Sequence, residues 1–509
     1  MIDWQNCFGG TSNDNAYDIV ENNRGYFIVG STTSNDGDVS FNHGGSDGWL
    51  IQTDPSGSIE WERTYGGSEG DGIRRILKCD DNNYYLLGNS NSSDADISQD
   101  PYPDSWDNWI LKIDSTGNIL WDRITGGNES DVLFSGTITN DNGIIAVGWS
   151  SSQDGDKTEF YGYYDIWIVK LNSDGVLEWE MTIGGELHDN GYDIIQTSDG
   201  GYLVGGSSLV SDGGNLNCDS HGNGEAVLIK LDSNRNIEWQ QCYGGSNHDG
   251  LVKMIEQSDG YCLLGWTESY DGDISGFHGE LDIWVIKTDF DGSIIWQNCL
   301  GGTLGESASS LYQINEELLI VGYTESNDGD VFGNHSIGEY YHDIWIANLD
   351  NDGDFIWQQC IGGQGDERAE LGSLLNDDYS IVIPAITDKG SSFDVQCETH
   401  SQVYNDWWVF NAKDTTVGLN TANPGESFTI KVFPIPAGDF VRFDYLIPIG
   451  NEIPLLEVMN QQGVILKSFE LHEGNGVKIW NTENQNGLYF YQVRLGGMII
   501  ERGKLIICN

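Results

Sequence analysis

One phrase recurs along this chain and limits what it can fold into. Trp-x-x-x-x-Gly-Gly begins at Trp4, Trp61, Trp121, Trp179, Trp239, Trp296 and Trp357, at intervals of 57 to 61 residues. Near-equal spacing of that length marks a repeat architecture, in which each unit buries its apolar surface against its neighbours. Between Trp61 and Trp121 the unit reads GIRRILKC, YYLLGNS, DNWILKID and ILWDRI, separated by polar stretches rich in Gly, Asn, Asp and Ser. These are four short runs of β-branched and aromatic residues with turn chemistry between them, and no helical period competes. Four strands in each of seven units predict an all-β fold, a seven-bladed β-propeller. The last unit, ending at DWWVFNAKD, lacks a fourth strand, and the chain opens with MIDWQNC. The N-terminal strand is therefore expected to close the ring as the outer strand of the seventh blade, leaving no open edge.

The units resemble the bacterial β-propeller repeat family, whose members carry a Gly-Gly-x-x-x-Asp start and a Gly-x-Thr-x-Ser segment. Here these are GGSEGD, GWTES and GYTES, and the resemblance covers roughly residues 1–415, within a propeller domain expected over 1–414. It implies a fold and almost nothing about activity, because propellers host many functions.

Strands that alternate in direction bring the loops after the second and fourth strands of every unit to one face. The opposite face receives tight turns such as SDGGY, DPSG and DSTG, which need only Gly, Asp and Asn chemistry. The first face receives the long acidic loops. An acid stands four residues after the second Gly of each Gly-Gly pair: Asp14, Asp71, Asp131, Asp189, Asp249, Glu306 and Glu367. Two readings stay open: each acid accepts backbone N–H bonds in its own turn, or the seven ring a channel mouth and hold a cation or polar ligand.

Asp-Gly-Asp and related pairs recur on the same face: Asp36 and Asp38, Asp94 and Asp96, Asp154 and Asp156, Asp271 and Asp273, Asp328 and Asp330. A further Asp precedes the next Trp by two residues at Asp47, Asp107, Asp165, Asp282 and Asp343, with Asp406 in the seventh unit. Alternating oxygen ligands around a Gly suit Ca²⁺, although the spacing is not that of an EF-hand; duplicated Asp-stabilised turns are the alternative. His43, His278 and His335 follow three of these pairs, a combination that could hold Zn²⁺ or another transition ion. The fourth unit, SDGGNLNCDSHGNGEAVLIK, loses the second Asp and the Trp, so any site there is lost or altered. Trp149, Trp266 and Tyr323 lead from the second strand onto the acidic face and are candidates for ligand contact. The repeated Trp49, Trp109, Trp167, Trp284, Trp345 and Trp408 fit packing instead.

A net charge of -57 over 509 residues repels phosphate backbones, so nucleic acid is not an expected partner. No apolar run reaches transmembrane length. H-E-x-x-H and P-loop motifs are absent, and the propeller's arginines share no repeat slot facing the channel. Nine cysteines form no C-x-x-C pair; Cys7, Cys242, Cys299 and Cys360 share one slot three residues after a Trp, which reads as packing, and the odd number suggests no disulfide framework.

After residue 414 the pattern changes. TTVGLNTANPGES, residues 415–427, reads as a linker, and residues 428–509 as a β-sandwich of short strands. VFPIPAGDFVRF, VMNQQGVIL and NGLYFYQVRLGGMIIERGKLII resemble, in order and spacing, the C-terminal sorting domain of type IX secretion in Bacteroidota. Ile435 stands between the two prolines where that family usually has Asn. The resemblance implies export by the type IX secretion machinery, then release or attachment at the cell surface. Such cargo carries a signal peptide, and MIDWQNCFGG does not look like one, so a leader ahead of this sequence is expected. The function expected is binding of a polysaccharide, a surface protein or a cation. A glycan-acting enzyme on the same face, which could use paired carboxylates, and a structural adhesion component are the alternatives.

Overall fold

The computed structural model describes residues 2–103, 105–209, 213–335, 341–388, 392–401 and 404–412. Towards the C-terminus it describes 429–433, 440–447, 454–460, 465–471, 474–482, 487–495 and 498–507. The chain divides into two compact units, Met1–Lys413 and Asp414–Asn509. Among the described residues every regular element is a strand, and no helix is long and apolar enough to cross a membrane. The expected linker lies outside the described residues, as do parts of the three C-terminal motifs.

The first unit is a propeller-like series of antiparallel sheets. In the first, Asp14–Asn22, Gly25–Thr32, Asp47–Thr53 and Ile59–Tyr65 pair in chain order. Five more four-stranded meanders begin at Asp71, Asp131, Asp189, Asp249 and Glu306. A seventh sheet joins Glu367–Arg368, Leu374–Leu375, Ile381–Thr387 and Asp406–Ala412 to the edge strand Ile2–Phe8, with Phe8 opposite Trp407. Ile2–Phe8 thus takes the place of the fourth strand that this unit lacks. Each first strand packs against the second strand of the sheet before it, and Asp14–Asn22 packs against Ile381–Thr387 of the seventh.

Burial explains the strand sequences. The third strands, such as DGWLIQT and DIWIVKL, are buried along their whole length and read as apolar runs after an acid, with a buried polar residue such as Gln52 or Lys170 near the end. The fourth strands, such as IEWERTY, are half-exposed and mix apolar with charged residues. The third-strand tryptophans are buried, and those in the repeated slot donate their indole Nε1 across to the outer strand, as Trp49 does to Glu62 at 2.9 Å, Trp167 to Glu180 at 2.8 Å and Trp345 to Gln358 at 2.8 Å. The tryptophans of the recurring phrase lie against turn glycines of the next sheet: Trp4 on Gly57, Trp61 on Gly117, Trp296 on Gly353.

The cysteine expectation needs correcting. Cys7 is bonded to Cys397 and Cys218 to Cys242, each pair with Cα atoms 5.5 Å apart. Cys7 and Cys242 occupy the repeat slot, and their partners lie in the long loops that fold back over the outer strand. Cys299 and Cys360, in the same slot with no such partner, are free and buried, as packing requires.

In the C-terminal unit, Thr429–Phe433, Phe440–Ile447 and Gly474–Asn481 form one sheet. Ile465–Glu470, Leu455–Met459, Gly487–Leu495 and Met498–Ile507 form another. Val441, Phe443, Leu456, Val458, Trp480 and Tyr491 belong to one core fed by both.

Candidate functional site

Each Gly-Gly turn is a knot of backbone donors tied by carboxylates. In the first sheet three successive amides go to three acids. Gly9 N donates to Asp38 at 3.2 Å, Gly10 N to Asp14 at 2.8 Å, and Thr11 N to Asp36 at 2.8 Å. The knot repeats at Gly66, Gly67 and Ser68 with Asp96, Asp71 and Asp94. It repeats again at Gly244, Gly245 and Ser246 with Asp273, Asp249 and Asp271, and at Gly301, Gly302 and Thr303 with Asp330, Glu306 and Asp328. Gly127 and Asn128 go to Asp131 and Asp154, Gly185 to Asp189, and Gly363 to Glu367. The divergent fourth unit keeps the design: Gly184 N donates to Asn215 at 3.0 Å, in place of the missing Asp. Asp156 also receives Arg123 at 3.4 Å.

Glycine is required because two carboxylates close on the turn. A Cβ on Gly9 would stand 2.7 Å from Asp14 Oδ2 and 2.9 Å from Asp406 Oδ1. The second acid comes from the third strand of the preceding sheet, so every joint between sheets holds a buried pair. The pairs are Asp406 with Asp14, Asp47 with Asp71, Asp107 with Asp131, Asp165 with Asp189, Glu225 with Asp249, Asp282 with Glu306, and Asp343 with Glu367. The seven first-strand acids therefore lie beneath the face, buried, rather than open to solvent.

In six of the seven pairs the third-strand acid has a carboxylate oxygen without a hydrogen-bond partner. Asp47, Asp107, Asp165, Asp282, Asp343 and Asp406 all have a buried Oδ1 with none. An unpaired buried carboxylate oxygen facing a second carboxylate is costly unless one of the two is protonated. Burial accordingly pushes Glu306 up to about 7, Glu367 up to about 8 and Asp189 up to about 6. Asp107 goes up to about 8, through burial first and then its neighbour Asp131.

The other oxygen of the third-strand acid meets a histidine or a lysine in six of the seven joints. His43 donates its backbone N–H to Asp47 Oδ2 at 2.7 Å and sets Nδ1 2.8 Å from the same oxygen, while Nε2 lies 3.6 Å from Asp96 of the next sheet. His278 repeats this with Asp282 and Asp330, and His335 with Asp343. His221 with Glu225 and Asp273, and His400 with Asp406 and Asp38, do the same. These two were not picked out from the sequence. In the third sheet Lys157 takes the position, 3.0 Å from Asp165. The second sheet has only Ser105, whose hydroxyl donates to Asp107 at 2.8 Å.

Among the described residues no group of three or more His, Cys, Asp or Glu side chains is arranged to hold a metal ion. Ca²⁺ at the Asp-Gly-Asp corners would compete with the amides already bound there.

Aromatic side chains occupy the loops above the joints. Phe41 is 55% exposed, Phe160 39%, Tyr163 67% and Tyr270 70%, all in the loop after a second strand. Trp149 and Tyr323 are partly covered: Trp149 leans on Tyr164 at 4.5 Å and Tyr323 meets His342 edge-on at 5.0 Å. Trp266 packs over Gly250. A cleft of about 420 Å³ opens beside Phe160, Tyr163, Glu129 and Glu186.

No family model matches the chain. It is similar to the regulatory protein FlaEY of Caulobacter vibrioides, 22% identical over 202 residues, or 36% of this chain and 21% of that protein. The match spans about a fifth of that protein's length. Among solved structures, the plexin A4 extracellular region gives a TM-score of 0.44 at 9% identity, covering 99% of this chain and 62% of that one. An acylaminoacyl peptidase of Pyrococcus horikoshii gives 0.40 at 8% identity, covering 85% and 57%. A neuraminidase-like protein of a bat influenza A virus gives 0.32 at 10% identity, covering 80% and 97%. At these values the likenesses carry no argument about this chain.

Proposed function

We propose that this chain is an exported glycan-binding protein. Its first unit is read as a seven-bladed β-propeller in which Ile2–Phe8 completes the seventh blade. Its second unit is read as a β-sandwich of the type IX sorting kind. Export rests on the three C-terminal motifs, and the pairs Cys7–Cys397 and Cys218–Cys242 suit an oxidising, extracellular or outer-surface setting.

The observation that carries the binding reading is a division between two sets of side chains. The buried acids tie the joints, while Phe41, Phe160, Tyr163 and Tyr270 stay exposed in the loops above them. Exposed rings beside carboxylates and amides offer what sugars use: a flat apolar surface and acceptors for hydroxyl groups. Screening the intact chain against immobilised polysaccharides tests this. Retention on at least one polysaccharide with no released product is expected. Retention on none overturns the reading, and release of sugar products replaces binding by hydrolysis or lysis.

A further inference from the structure

We propose that the cleft beside Tyr163 is a subsite for a protonated amino sugar, a specific form of the glycan binding argued above and dependent on it. The cleft lies between the third and fourth sheets and is lined by Glu129, Ser151, Gln153, Phe160, Tyr163 and Glu186. Tyr163 is held in place although it is the most exposed ring there. It stacks on His188 at 5.5 Å with 22° between planes; His188 packs on Tyr164 at 4.7 Å, and Tyr164 on Trp149 at 4.5 Å. A backbone bond from Tyr163 N to Leu187 O at 3.1 Å fixes the loop beneath it. A ring held this way offers stacking without the entropy cost of ordering it on binding.

The charge of the cleft selects the ligand. Its lining has two carboxylates and no basic residue. Lys157, beside the Phe160 ring, is buried and committed to Asp165 at 3.0 Å and to Ser150 O at 3.0 Å. Lys157 Nζ lies 5.2 Å from the centre of the Phe160 ring, so this ring already accepts an ammonium group on its face. In a chain of net charge -57, a ligand that brings its own positive charge gains attraction that a neutral sugar lacks. A pyranose ring over Tyr163 with an ammonium group between Glu129 and Glu186 meets all three features.

Calorimetric titration of the intact chain with a glucosamine tetramer tests this, with the N-acetylated tetramer and trilysine as comparisons under mildly acidic conditions. The glucosamine tetramer is expected to bind at least about tenfold more tightly than either comparison, and raised salt to weaken it. Tyr163→Ala and the double variant Glu129→Gln with Glu186→Gln are each expected to lose about tenfold in affinity. Their melting temperatures should fall by no more than about 2 °C, because all three side chains are exposed and lie outside the buried cores. Equal affinity for the N-acetylated tetramer overturns the charge assignment. Equal affinity for trilysine overturns the sugar assignment. Unchanged binding in the variants, or no binding, overturns the site. If other polysaccharides retain the chain while the glucosamine tetramer fails, this inference falls and the glycan-binding reading stands.

Discussion

Glu306→Gln should make this protein more stable in alkali and leave it nearly unchanged in acid. Glu306 is buried, receives Gly302 N at 2.8 Å and the Thr324 hydroxyl at 2.7 Å, and faces Asp282 across Gly301. Its folded-state pKa is raised by burial from 4.5 to about 7. A raised carboxyl pKa means that the native state binds more protons than the unfolded state between those two values. Stability is therefore fully present below about pH 4.5 and falls as pH rises through about 7. At about 1.4 kcal/mol per pKa unit, the loss from this one group is about 3 kcal/mol by pH 9. Glutamine copies the shape of the protonated acid and carries no charge at either pH. Urea unfolding followed by tryptophan fluorescence at about pH 5 and about pH 9 reads the effect. The variant should match the wild type within about 1 kcal/mol in acid and exceed it by about 3 kcal/mol in alkali. Equal destabilisation at both pH values, or a wild type more stable in alkali, refutes a shared proton at this joint.

Further predictions concern other parts of the joint and the repeat. Gly66→Ala would place a methyl group 2.5 Å from Asp47 Oδ1 and 2.7 Å from Asp71 Oδ2, and should cost about 3 kcal/mol in denaturant unfolding. Trp167→Phe removes the 2.8 Å bond to Glu180 and part of a buried ring, and should cost about 2 kcal/mol in the same assay. Cys7→Ser opens the bond to Cys397 and should lower stability by about 4 kcal/mol, a difference that disappears when both proteins are compared under reducing conditions. Because Asp36, Asp38, Asp271 and Asp273 already accept backbone amides, melts with Ca²⁺ and with a chelator should agree to within about 2 °C. A larger shift would show that calcium organises these corners.

Much of the architecture could be read from residue spacing, because one phrase carries several constraints together. The Trp of W-x-x-x-x-G-G marks the outer strand, the glycines mark the crossing to the next sheet, and the acid marks the start of its first strand. The way those acids face was not legible. Asp14 and Asp406 are far apart in sequence, and only the ring of sheets brings both to Gly9. Five histidines share one role, but counting forward from Asp-Gly-Asp finds only His43, His278 and His335. Counting back from the third-strand acid adds His221, four residues before Glu225, as His43 precedes Asp47 and His278 precedes Asp282. His400 stands six residues before Asp406, and no fixed spacing would have found it. The disulfides escaped for a similar reason: Cys397 and Cys218 lie in loops whose lengths differ from unit to unit, so no repeat slot announces them.

The acidity of the repeat is structural: buried carboxylate pairs share protons at the joints, while the aromatic side chains above them stay exposed. Infrared spectroscopy of the folded protein at neutral pH, reading the carbonyl band of protonated carboxylic acids, tests it most directly. Ordinary carboxyl groups are almost fully ionised there. A band from several protonated side chains should persist to about pH 7, be lost above about pH 8 and be diminished in Glu306→Gln. A spectrum with no protonated carboxyl at neutral pH would contradict it.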